Sequence, residues 1–134
     1  MSAEHSGSAL VDAFVRPERK ARLRSLLARA KGRAKLRVGL AHFRDLDQRY
    51  AHQVPSAAQT PEEIAALLRA RGAPATCYVL SEQTEIDGRE LPLEEALALV
   101  VGRGIGTFLS CIPGRLAYFE GEDAGARFIL DHAG

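Results

Sequence analysis

Apolar side chains recur at helical spacing through the first third of the chain. Four of them form one stripe at intervals of three and four residues: Leu23, Leu26, Leu27 and Ala30. This stripe predicts an amphipathic helix, with Pro17 suited to its first position and Gly32 to its end. Two apolar pairs four positions apart, Leu10–Val11 and Phe14–Val15, predict a shorter helix before it that packs inward.

Residues 33–43 fit two different periods. Leu36, Val38 and Leu40 alternate with less apolar neighbours, which is the pattern of a strand. Phe43 continues the spacing of Leu36 and Leu40 as in a helix, so the pattern alone leaves both alternatives open. The alanine and arginine content of the segment favours the helix.

The second half of the chain carries clearer signals of both kinds. Thr60-Pro61-Glu62-Glu63 is a capping box that begins a helix, and Gly72 ends it. A second, mostly buried helix is predicted over residues 92–101. Turn-forming residues predict irregular connections over 44–59 and 81–90. Runs rich in β-branched and aromatic residues predict strands over 76–80, 107–112, 115–120 and 127–130.

The strands on either side of Pro113–Gly114 are predicted to form a hairpin. A two-residue turn would place Phe108 opposite Phe119 and Cys111 opposite Leu116, whereas a longer loop would change this register. Both faces of the hairpin are largely apolar. We therefore expect it to lie in the centre of the sheet or to be covered on both sides.

These elements predict an α+β fold. N-terminal helices precede the order α-β-α-β-β-β, which favours a mostly antiparallel sheet of about four strands packed by helices. We expect residues 1–8 to be a flexible tail and residues 9–134 to be a single domain, as a length of 134 residues allows. Residues 9–59 would form a mainly helical, basic part, and residues 60–134 a body that ends in a three-stranded meander.

Charge is distributed unevenly, although the net charge is only +1. Residues 16–37 hold ten basic side chains and one acidic one, whereas residues 61–134 hold six basic and twelve acidic ones. A basic cluster on one helix is typical of a surface that binds nucleic acid or an acidic partner. The candidate binding residues are Arg19, Arg22, Arg24, Arg29 and Arg33. The excess of arginine over lysine is a bacterial-like composition, which weakens arguments from arginine alone.

The charge asymmetry predicts a non-catalytic interaction or regulatory domain that binds a protein partner or associates with itself. A basic end and an acidic body could associate head to tail or recruit a charged partner. Nucleic acid is a possible partner but is not favoured. Residues 16–37 contain no aromatic side chains on which bases could stack, and the acidic remainder would repel the phosphates.

A small-ligand or enzyme domain with a pocket near Gly104–Cys111 is the other alternative. The glycines at 102, 104 and 106 would let a ligand approach the backbone, but they follow a helix, whereas phosphate-binding loops precede one. A catalytic Cys111 would need a base within reach. Arg103 and Arg115 flank the same strand and could hold an anion at either end. Because no local signature supports catalysis, the enzyme alternative stays open and is not favoured.

Neither a metal nor a cofactor is expected. Cys77 and Cys111 lie far apart in the sequence, and the four histidines form no ligand pair with them, so no zinc pattern exists. No apolar run is long enough to cross a membrane, and the polar N-terminus lacks the apolar core of a signal peptide. We therefore expect a cytoplasmic protein that does not bind membranes.

Overall fold

The computed structural model describes residues 3–123 and 125–132. Within them, the helices are α1 (Ala3–Phe14), α2 (Lys20–Leu27), α3 (Ala30–Val38), α4 (Pro61–Ala70) and α5 (Leu93–Val100). Single turns of 3₁₀ helix lie at Pro17–Arg19 and Leu40–His42. The strands are β1 (Ala51–Gln53), β2 (Thr76–Ser81), β3 (Glu90–Pro92), β4 (Thr107–Ile112), β5 (Leu116–Glu120) and β6 (Arg127–Asp131).

The strands form one antiparallel sheet in the order β1-β6-β5-β4-β2-β3. The predicted α+β class and antiparallel sheet are confirmed, but the sheet has six strands rather than about four. The additional strands, β1 and β3, are three residues long and lie at the two edges. Segments this short carry no periodic signal, and only their pairing with β6 and β2 makes them strands.

Both faces of the central β4–β5 hairpin are covered, as its apolar residues predicted. Leu109 and Tyr118 point into a core formed with α4 and α5. Phe108 and Phe119 point into a second core on the other face, which α1 and the 3₁₀ turn after α3 help to form. The sheet is therefore the middle layer between two groups of helices.

The register of this hairpin agrees with the prediction at one end and differs at the other. Phe108 pairs with Phe119, but a bulge between Ser110 and Ile112 places Ile112 opposite Leu116. The predicted pairing of Cys111 with Leu116 is therefore wrong. The connection is longer than two residues, because a Pro-Gly turn has the wrong twist for a tight hairpin.

The helices near the N-terminus differ from the prediction in two places. Helix α2 ends at Leu27, and Gly32 lies inside α3 rather than at a helix end. Helix α1 begins at Ala3, so residues 3–8, predicted to be a flexible tail, form the first turns of a helix. The first two residues of that tail lie outside the described part of the chain. The helical alternative for residues 33–43 is confirmed by α3 and the 3₁₀ turn after it.

The second half of the chain follows its sequence signals closely. Thr60 accepts a hydrogen bond from the backbone N–H of Glu63, and the Glu63 carboxylate accepts one from the N–H of Thr60, which completes the predicted capping box. Helix α5 buries Leu93, Leu97 and Val100, as its apolar stripe predicted. No helix within the described ranges is both long and apolar enough to cross a membrane.

Candidate functional site

Helices α2 and α3 form an outer layer that carries seven of the ten basic side chains of residues 16–37. Helix α2 contacts α1 and α3, and Leu23 packs with Val11 and Val15 in a small core of its own. Leu26 and Leu36 lie at the edge of this core and stay partly accessible. The layer therefore combines an apolar inner surface with an exposed outer surface.

A groove of about 320 Å³ opens between α2, α3 and residues 39–45. Its apolar lining consists of Leu23, Leu26, Leu36 and Phe43. Its basic lining consists of Arg19, Arg22, Lys35 and Arg44, and His42 and Asp45 also contact the groove. We call this site the basic groove. Its volume lies at the lower end of the range found for ligand sites in proteins.

Most of the positive charge around the basic groove is not neutralised by residues that the structure describes. Arg19 donates to Asp45 at 3.3 Å, and this carboxylate also binds Arg16 at 2.6 Å. Arg22, Lys35 and Arg44 are exposed and have no hydrogen-bond or ion-pair partner among the described residues. Three cations therefore surround an apolar floor. An anionic group placed there would meet little competition for these cations from carboxylates of the same molecule.

The five arginines proposed from the sequence separate into different environments. Arg19 and Arg22 line the basic groove, whereas Arg24 binds Asp12 at 2.6 Å and Arg29 lies exposed outside it. Arg33 is turned toward the body of the protein. The sequence reasoning missed two groove cations: Lys35, which lies within the basic segment, and Arg44, which lies beyond it.

Arg33 and Arg37 attach the basic layer to the acidic body. The Arg33 guanidinium donates to the Tyr78 hydroxyl at 2.6 Å and to Asp87 at 3.1 Å. Arg37 lies 3.4 Å from the other oxygen of Asp87 and donates to the Ser81 carbonyl at 3.0 Å. Burial raises the pKa of Tyr78, and the Arg33 charge opposes that rise. Part of the basic segment is therefore neutralised by its own chain, whereas Arg22 and Lys35 of the basic groove have no such partner among the described residues.

The glycine-rich loop after α5 is occupied by a side chain of the same molecule. The backbone N–H groups of Gly102, Arg103 and Gly104 donate to the carboxylate of Glu120 at 3.1 to 3.2 Å. Gly102 and Gly104 have φ angles of +82° and +66°, which side chains other than glycine rarely adopt. Successive N–H groups in such a turn form a concave anion site, and here the anion is Glu120.

Glu120 is fully buried and has two further polar neighbours. The Tyr118 hydroxyl donates to it at 2.8 Å, and the Arg127 guanidinium nitrogen Nε lies 3.4 Å away. Burial raises the pKa of Tyr118, and the Glu120 charge raises it further, so the hydroxyl keeps its proton. The carboxylate is therefore surrounded by donors, and this loop has a structural role.

The residues proposed for a pocket near this loop are not gathered at one place. Cys111 is only 5% exposed and packs beneath α4 and α5. Burial raises its pKa well above the usual range of a thiol, and it raises the pKa of Cys77 to about 12. Arg103 and Arg115 are exposed at opposite ends of β4, and Arg115 donates to the Arg71 carbonyl at 3.4 Å. This arrangement shows no activated thiol.

Neither the described residues nor the comparisons with known proteins indicate a further site. Within the described part of the chain, no group of three or more His, Cys, Asp and Glu side chains is placed to hold a metal ion. No protein-family model, curated protein or solved structure matches the chain. The basic groove is therefore the candidate functional site of the described part of the chain.

Proposed function

We propose that this protein is a non-catalytic interaction domain that binds an acidic segment of a partner protein in the basic groove. The observation that carries the proposal is a set of exposed cations that have no partner among the described residues, Arg22, Lys35 and Arg44, around a floor of leucine and phenylalanine. Charge complementarity would guide the partner to the groove, and burial of apolar side chains on the floor would hold it there.

The apolar floor favours a peptide segment over nucleic acid. Leu23, Leu26 and Leu36 make most of the floor aliphatic and Phe43 contributes a ring at its edge, whereas proteins that bind single strands place aromatic rings under successive bases. An acidic segment with apolar residues between its carboxylates matches both components of the groove. Such segments dock through a few apolar anchors surrounded by polar contacts.

A second copy of the chain is the other protein that could supply acidic groups. Helices α4 and α5 cover the opposite face of the sheet and expose Glu62 and Glu95. Glu94 is already paired with Arg69 across these two helices. The native mass is therefore measured at low and high salt alongside the binding experiment, so that self-association is recognised as a separate outcome.

The proposal is tested with a fluorescent peptide of alternating glutamate and leucine, titrated with the full chain at low salt. We expect saturable binding that weakens as salt rises, because screening reduces the attraction of exposed charges. A peptide with glutamine in place of glutamate should bind much more weakly. Single- and double-stranded oligonucleotides at the same ionic strength complete the comparison.

Two double variants separate the groove from general positive charge. Arg22→Gln with Lys35→Gln removes two groove cations, whereas Arg29→Gln with Lys31→Gln removes two exposed cations that do not line the groove. Both change the net charge by the same amount. We expect the first to weaken peptide binding about tenfold and the second about twofold.

Three outcomes would overturn the proposal. They are absence of peptide binding at low salt, equal losses for the two double variants, and tighter binding of an oligonucleotide than of the peptide. A dimer that dissociates in high salt and excludes the peptide would instead identify a second copy as the occupant.

A further inference from the structure

A second groove with a different lining lies beside the basic groove. This second groove has a volume of about 300 Å³ and is walled by Phe43, Leu46, Phe119 and Phe128. Phe43 and Arg44 line both grooves, so the two grooves are adjacent. We call the second site the aromatic groove.

The aromatic groove is held in shape before any ligand binds. The Phe43 ring meets the Phe108 ring edge-on, with 5.6 Å between centroids, and lies 6.0 Å from the Phe119 ring. Phe119 and Leu46 are buried, whereas Phe43 and Phe128 keep part of their surface accessible. A side chain that enters would therefore meet fixed apolar walls, which lowers the entropic cost of binding.

The charges along the two grooves would orient a bound acidic segment. Arg44 lies at the junction, beside the unpaired cations of the basic groove, and exposed Asp123 lies at the aromatic groove. His42, which lines the basic groove, has its Nδ1 3.1 Å from the Glu122 carboxylate. An acidic residue would be attracted at the basic groove and repelled near Asp123.

We propose that the partner segment carries an aromatic or large aliphatic anchor beside its acidic residues, and that this anchor occupies the aromatic groove. The inference rests on the proposed function, because binding of the partner's acidic residues in the basic groove positions the anchor at the aromatic groove. The residue beyond the anchor is neutral or basic, since it faces Asp123. Full burial of such a side chain corresponds to roughly ten- to hundredfold in affinity.

The test compares two peptides that differ only in the anchor. The first places a phenylalanine after the alternating glutamate and leucine residues, and the second has serine at that position. We expect the first to bind the unmodified chain about tenfold more tightly. Since only the peptide changes, this comparison does not depend on any protein variant folding.

Matched protein variants then locate the anchor. Phe128→Ala removes one wall of the aromatic groove, and Ile112→Ala shortens a partly buried side chain on the opposite face of the sheet. The preference for phenylalanine should fall to about twofold or less in the first variant and persist in the second. The thermal midpoint of each variant shows whether it has folded.

The outcomes distinguish the inference from the function on which it rests. If neither peptide binds, the proposed function fails. If both bind equally and both lose affinity in the Arg22→Gln, Lys35→Gln variant, the basic groove is a binding site and the anchor inference is wrong. A preference for phenylalanine that survives Phe128→Ala in a folded protein also overturns the anchor inference.

Discussion

At the scale of single residues, the main structural role falls to a buried carboxylate rather than to the glycines that the sequence draws attention to. Gly102 and Gly104 shape a loop whose N–H groups converge, and Glu120 fills it from the neighbouring strand β5. A buried carboxylate is stable only when donors surround it, and an unpaired one would be very costly. The contact thus ties the end of α5 to the centre of the sheet.

Replacing Glu120 with glutamine should destabilise the protein by about 3 kcal/mol. Glutamine has the same shape, but its NH₂ group would face backbone donors, and the Arg127 charge would lose its buried partner. The free energy of unfolding in urea measures the change. Glu85→Gln, in an exposed turn, is the control and should stay within about 0.5 kcal/mol. Equal stabilities for the two variants would contradict this account of the loop.

The two cysteines should be unreactive in the native protein. Both are buried on the α4–α5 face, and burial raises the pKa of each thiol, to about 12 for Cys77. Because the thiolate is the reactive form, an aromatic disulfide reagent near pH 7 should label neither residue until urea unfolds the chain. Rapid labelling of one thiol in the native state would revive the alternative of a catalytic Cys111.

At the scale of elements, the basic groove depends on how closely α2 and α3 approach each other. A Cβ atom at Gly32 would lie 2.2 Å from the backbone oxygen of Leu26, a distance that real side chains do not reach. Gly32 therefore allows the first turn of α3 to pack against the end of α2. This explains why a glycine that the helical pattern places at a helix end lies inside a helix.

Gly32→Ala should destabilise the protein by about 1–3 kcal/mol, although alanine is the better helix former. The reason is that the added methyl group forces the two helices apart. Gly39→Ala is the matched control, because Gly39 has a φ of −91° and its nearest atom would be 3.7 Å from the new Cβ. The free energy of unfolding in urea should fall for Gly32→Ala and change little for Gly39→Ala. If Gly32→Ala proved stabilising, the helices would be less tightly packed than the structure shows.

At the scale of the whole molecule, the basic segment packs on the body instead of standing free. Its arginines reach Asp87 from 54 and 50 positions away in the sequence. The helices before β1 and the helices α4 and α5 cover opposite faces of one sheet, and β4 and β5 contribute to both cores. Because the central strands are shared, we expect the two cores to unfold together.

Leu40→Ala tests this cooperativity. Leu40 is fully buried in the core on the α1 face, and its truncation should cost about 2–5 kcal/mol. Helix content and the reactivity of the thiols, which lie on the other face, should change at the same urea concentration. Val38→Ala, at a position 75% exposed, is the control. Loss of helix signal before the thiols react would show that the N-terminal part unfolds separately.

The sequence by itself determined the features that depend on neighbours along the chain. The capping box at Thr60, the apolar stripe of α5 and the two apolar faces of β4 and β5 were all predictable. Each of these features depends on residues only a few positions apart, so local backbone geometry is enough to predict it. The segregation of basic residues near the N-terminus was equally visible, although its function stays a proposal.

The tertiary structure alone decided which groups meet. The edge strands β1 and β3 exist only because longer strands lie beside them, and Glu120 fills the glycine loop only because β5 passes next to it. Which arginines are neutralised and which surround the basic groove depends on carboxylates far away in the chain. Local periodicity does not encode these long-range contacts, because they form only when helices and strands pack into layers.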